Sequence, residues 1–148
     1  MFWKEKKLNQ LSKAEWESLC DGCGKCCLHK LQDDVTQKVF YTKVACRLLS
    51  IKDRKCNDYK NREKIVPDCL NLYGKDLDKI TWLPKTCAYR LLNENKDLPN
   101  WHPLISGSCE QMENGKYSIN HFAISEYSLS LQQVNDELET YLLREELC

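Results

Sequence analysis

The chain has 148 residues, enough for one ordinary domain, and its 22 basic and 22 acidic side chains cancel. No apolar run approaches the roughly 18 residues of a membrane span, and "MFWKEKKLNQ" has no hydrophobic stretch behind its lysines, so the expected address is the cytosol. Ten cysteines, about 7 % of the chain, then point to metal or redox chemistry; structural bridges would require an oxidising compartment.

The charges are unevenly spread. Residues 20–90 carry fifteen Lys and Arg against nine acids, and residues 91–148 carry three against ten. The basic surplus coincides with eight of the ten cysteines, where it would favour deprotonated thiol ligands; a solvated basic face and a nucleic-acid patch are the other readings of the same charge.

In chain order, "LSKAEWESLC" opens with Ser12 and Glu15 at capping-box spacing, which predicts a short helix with Trp16 and Leu19 on one face. "LCDGCGKCCLHK" follows, with Cys20, Cys23, Cys26 and Cys27 inside eight residues. "KVFYTKV" (38–44) predicts a strand, and the rest of 20–69 reads as polar loop that needs something besides hydrophobic burial to hold it. "PKTCAYRLLNEN" predicts a helix headed by Pro84, with Thr86 as cap and Cys87 near its start. Asn114-Gly115 predicts a hairpin, and Ser130 with Gln133 opens a C-terminal helix over about 130–147 with Leu131, Val134, Leu138, Tyr141 and Leu142 on one face. The expected fold is a single small α-rich (α+β) metal-bound domain over 1–148: a loop-rich cysteine core, a few short helices and one small β-hairpin or strand pair.

The spacing of the cysteine run carries the chemistry. A C-x2-C pair is a good chelate because the turn between the residues brings two sulfurs to one ion, and here two such pairs overlap. Three thiols at this spacing also match the C-x2-C-x2-C grip on an iron–sulfur cluster, although the next cysteine here follows at once. Neighbouring side chains diverge, so Cys26 and Cys27 are expected to point apart and serve different sites. Cys46, Cys56, Cys69 and Cys87 bring the count to eight thiolates, enough for two four-cysteine zinc sites. Cys109 and Cys148 read as ordinary free thiols. His29 is either a ninth ligand or a structural imidazole, and His102, between Trp101 and Pro103, reads as structural. Trp82, Tyr89 and Trp101 read as core. No phosphate loop, catalytic-serine or paired-carboxylate signature is present.

The motifs "CDGCGKCCLHKL", "YTKVACRLLSI", "CNDYKNREKIVPDC", "TWLPKTCAYRLL" and "LPNWHPLISG" resemble those of the YcgN-like branch of the CxxCxxCC, or YkgJ-type, family, over roughly residues 13–124. The family's characteristic cysteines match Cys20, Cys23, Cys26, Cys27, Cys46, Cys56, Cys69 and Cys87. The resemblance implies chelation of zinc or iron and no particular reaction. The leading expectation is therefore a non-enzymatic interaction or regulatory module with two structural zinc ions and a protein partner still to be identified. An iron–sulfur protein with a redox or maturation role is the alternative. A zinc-ribbon-like nucleic-acid binder is the weaker one, because zero net charge and an acidic C-terminal half oppose a polyanion. No membrane association is expected.

Overall fold

A computed structural model describes residues 1–144, so Cys148 and the end of the expected C-terminal helix lie outside the described residues. The structure mixes short helices with a small sheet, and the chain forms two compact units, each discontinuous. The first unit comprises Met1–Asp21 and Leu70–Gly115; the second comprises Gly22–Cys69 and the residues from Lys116 onward.

The first unit is helical. Ser12 caps the helix Lys13–Ser18: its hydroxyl accepts from Glu15 N–H at 3.2 Å, and the Glu15 carboxylate accepts from Ser12 N–H at 2.8 Å. This capping box turns Trp16 and Leu19 inward, where they join Trp3, Leu11, Leu77, Leu83 and Tyr89 in one apolar core. Trp16 stacks on Tyr89 at 4.6 Å between ring centres, and the Tyr89 hydroxyl donates to the Trp16 carbonyl at 2.9 Å, so the tyrosine is buried without an unpaired hydroxyl. Trp82 packs against the same core. Ser12→Ala is expected to destabilise the protein by about 1 kcal/mol, measured by urea denaturation, while Ser12→Asp retains most of the parent's stability.

The other elements of this unit depart in detail from expectation. The helix after Pro84 spans Ala88–Asn93, and its N-cap is Cys87 in place of Thr86. Pro84 instead lends its carbonyl to the Cys87 N–H at 2.9 Å, so the turn Pro84–Cys87 precedes the helix. The hairpin expected at Asn114-Gly115 is absent: Glu110–Asn114 is a helix that buries Met112 and ends at Gly115. Burial of one large apolar side chain on a helical face outweighs the local turn preference of Asn-Gly. His102 is fully buried and structural, its Nδ1 accepting from Leu104 N–H at 3.1 Å while Nε2–H donates to the Leu19 carbonyl at 3.0 Å.

The second unit holds the sheet. Strands β1 (Leu28–Gln32), β2 (Val39–Ala45) and β5 (Ile124–Ser125) form a sheet of order β1-β2-β5, antiparallel between β1 and β2 and parallel between β2 and β5. The two-residue strands β3 (Leu49–Ser50) and β4 (Lys55–Cys56) pair antiparallel. Leu28, Tyr41, Ala45, Leu49, Ile119 and Leu143 form this unit's core, with Cys27 packed against it. The C-terminal helix is shorter than expected. Its capping box at Ser130 and Gln133 is present, but it spans only Leu131–Asp136, and Leu131 is 77 % exposed. A 3₁₀ turn follows at Leu138–Tyr141, and Thr42 then bridges Leu142. Pairing to β2 takes over from helix propagation because the extended chain buries Leu143 against the sheet.

Candidate metal centre

The cysteine run is held by its own backbone. Gly22 and Gly24 adopt φ of 74° and 81°, the left-handed region that glycine enters without strain, and Gly24 caps the 3₁₀ turn Lys25–Cys27. The carbonyls of the run are tied in turn. That of Cys23 accepts from Ile119 N–H at 3.1 Å, that of Gly24 from Cys27 N–H at 3.0 Å, and that of Cys27 from Cys46 N–H at 2.9 Å. The Cys26 carbonyl accepts from the Lys30 ammonium at 2.9 Å. These bonds tie the backbone of the run to the rest of the second unit.

Cys46 follows β2, and the β3–β4 hairpin brings Cys56 opposite Leu49, three residues past Cys46. Cys69 closes a turn after the helix Arg62–Ile65. Arg47 ties these segments together, its guanidinium donating to the Ile65 carbonyl at 2.7 Å. Cys23, Cys26, Cys27, Cys46, Cys56 and Cys69 thus all belong to the second unit, and Cys20, Cys87 and Cys109 to the first.

Within the second unit five thiols share one electrostatic neighbourhood. A hydrogen bond with Cys26, reinforced by burial, pushes the Cys27 thiol far above its ordinary value, and nearby Cys46 adds to this. Burial raises Cys46, with Glu126 and Cys56 beside it. Burial also raises Cys69, which senses Cys46, Cys56 and Cys26, while Arg62 opposes the shift. The hydrogen bond between Cys26 and Cys27 corrects the expectation that their sulfurs point apart. In a 3₁₀ turn successive side chains are about 120° apart, and rotation about each Cα–Cβ bond brings the sulfurs together.

Three residues with no local sequence signal complete the site. Lys25 is fully buried, its ammonium 4.9 Å from the centre of the Tyr117 ring. Lys30 is anchored to the run as described. Glu126 takes the His29 ring Nε2 on one oxygen and the Arg47 N–H on the other at 2.9 Å, so His29 braces the Cys46 turn through a carboxylate. His29 reaches Glu126 from an irregularity in the β1–β2 register between Leu28 and Lys30. A partner 97 residues away cannot be found by reading motifs.

Among the described residues, no three His, Cys, Asp or Glu side chains already converge on a point that could hold an ion. The donor set itself is soft sulfur, which suits zinc or iron and not magnesium or calcium. Elsewhere, a cleft of about 990 Å³ in the first unit is lined by Trp3, Trp16 and Tyr73 with Lys4, Lys7 and Lys75, and no thiol or imidazole lines it. Among the described residues no helix is long and apolar enough to cross a membrane.

The raised thiols have a measurable consequence for metal-free protein. In the unfolded chain a thiol ionises near pH ~8.5. The folded thiols of Cys27, Cys46 and Cys69 hold their protons to higher pH, so their stabilising contribution is complete below ~8.5 and is lost as pH rises above it. Each of these partly buried thiols supplies less than ~1.4 kcal/mol per pH unit, because solvent screens it. Lys30, whose ammonium burial pulls down, works in the opposite sense, as one group against three. Urea midpoints of chelator-treated, reduced protein are expected to fall between pH 8 and 9.5; a flat profile would contradict the burial of these thiols.

Residues 19–88 match the family model CxxCxxCC, described as "Putative zinc- or iron-chelating domain", and that span contains all eight motif cysteines. The UPF0260 protein YcgN of Escherichia coli K12 is 53 % identical over 125 residues, covering 84 % of this chain and 82 % of the relative. The chain belongs to the CxxCxxCC family, in its YcgN-like branch. The YcgN of Shigella flexneri matches to the same extent. No solved structure matches the chain. Membership in the CxxCxxCC family supports metal binding, and Glu126 and Cys109 both lie outside the span that defines the CxxCxxCC domain.

Proposed function

We propose that this protein binds metal through the thiolates of Cys20, Cys23, Cys26, Cys27, Cys46, Cys56, Cys69 and Cys87. Two structural zinc ions are the simplest complement, and the protein serves as a non-enzymatic module that a protein partner recognises. The observation that carries this reading is that the backbone of the second unit brings cysteine-bearing segments together: the Cys27 carbonyl accepts from Cys46 N–H, Cys56 pairs opposite Leu49 just past Cys46, and Arg47 reaches the Ile65 carbonyl ahead of Cys69. Zinc supplies no redox chemistry; its contribution is to cross-link loops that bury little apolar surface. The residues of the chain prepare for this by fixing the run's backbone and by bracing Cys46 through Arg47 and Glu126.

One observation favours a second reading. The thiols of Cys26 and Cys27 approach each other, and they close a C-x2-C-x2-C run of the kind that grips a polynuclear centre, which supports an iron–sulfur cluster. Elemental analysis and a visible spectrum of protein prepared without oxygen separate the two. Colourless protein with about two zinc per chain supports the first reading. Brown protein with acid-labile sulfide replaces it with the second, and protein that takes up neither metal removes both.

A further inference from the structure

We propose that Lys30 is the built-in counter-cation of the thiol centre, and that the centre is accordingly an anionic polythiolate complex. The inference rests on the metal-binding reading and extends it to the charge of the bound complex.

The geometry is specific. Lys30 stands on β1 opposite Tyr41, and its ammonium is fastened to the Cys26 carbonyl at 2.9 Å and the Leu28 carbonyl at 2.8 Å. The same ammonium lies 5.1 Å from the centre of the Tyr41 ring, which favours a cation on its face. The ammonium is partly withdrawn from water, and the thiols of Cys26, Cys27, Cys46 and Cys69 favour its charged form. A lysine normally extends its ammonium into solvent. Here two hydrogen bonds hold it against the backbone of the cysteine run, where partial loss of water penalises the cation unless negative charge develops beside it.

Thiolate coordination supplies that charge. A dication with four thiolates carries a net charge of minus two, and with three it carries minus one. A partly desolvated anion of this kind is stabilised by a cation held against the cysteine run, as the Lys30 ammonium is. Lys30 therefore selects for the fully deprotonated, thiolate-rich complex over a neutral one completed by water or carboxylate.

The test uses the full chain with zinc alone as the probe. Competition against a chromophoric chelator gives the zinc dissociation constant for the parent, Lys30→Arg and Lys30→Gln, and circular dichroism follows the metal-free fold of each. Glutamine retains an N–H donor but no charge; arginine retains both. Lys30→Gln is expected to weaken zinc binding by roughly tenfold or more, with the deficit shrinking at high salt, and Lys30→Arg to stay within about threefold of the parent. Lys30→Gln binding as tightly as the parent would overturn the proposal. Equal weakening of both variants, or loss of the metal-free fold in both, would overturn it too by assigning Lys30 a packing role. A parent that binds no zinc would instead overturn the zinc-binding reading on which the proposal stands.

Discussion

Cys27→Ser is expected to strip metal from the second unit, while Cys109→Ser leaves metal content at the parent's level. Cys27 meets the Cys26 thiol, lies in the field of Cys46 and Lys30, and packs its side chain against the sheet core. Serine keeps the backbone bond from Cys46 N–H to the Cys27 carbonyl but replaces a soft sulfur with a weak ligand. A structural thiolate site contributes on the order of 10 kcal/mol to folding. Losing it should therefore release hydrogen-exchange protection across 22–69, and Cys46→Ser is expected to do the same. Cys109 is exposed at the head of Glu110–Asn114, so that variant should be about as stable as the parent. Metal analysis with exchange mass spectrometry checks all three variants. A Cys27→Ser protein with full metal content and full protection would remove Cys27 from the ligand set.

Gly24→Ala is expected to cost about 3 kcal/mol. An alanine at φ +81° pays ~1–2 kcal/mol for the left-handed conformation. Its Cβ would also sit 2.7 Å from Ile119 Cδ1 and 2.8 Å from Cγ1. Ile119 is fully buried and has little room to yield, which adds ~1–3 kcal/mol of overpacking. Gly107 provides the control: its φ is +80°, but nothing lies within 4 Å of an added Cβ, so Gly107→Ala pays for conformation alone. Urea denaturation of the two variants separates steric from conformational cost. Equal losses would mean that Ile119 moves aside.

The parts of the fold that proved legible were those written in short-range chemistry. Ser12 with Glu15, and Ser130 with Gln133, carry their capping partners within three residues, and both helix starts are where those pairs predict. Strand β2 was legible from its β-branched and aromatic content. Strand β1 was not, because "LHKLQ" has only two strong apolar residues and gains its structure by pairing with β2. Strands β3 and β4 are too short to show a period. The end of the last helix depends on Leu143 finding the sheet, a contact that helical periodicity does not encode. The same division holds in the site. Cysteine spacing announces soft-metal chemistry, whereas the burial of Lys25, the seat of Lys30 over Tyr41 and the pairing of His29 with Glu126 arise only when distant segments meet.

The interleaved order of the second unit sets a timetable for its birth on the ribosome. The Cys23 carbonyl waits for the Ile119 N–H, 96 residues later, and the Cys46 turn waits for Glu126. At a synthesis rate of ~5–20 residues per second, that interval lasts roughly 5–20 s. Throughout it, the thiols of the run are part of a nascent chain that cannot yet close around them. They are open meanwhile to adventitious ions and oxidants, so correct metal loading of this protein is an event that follows translation of its C-terminal third.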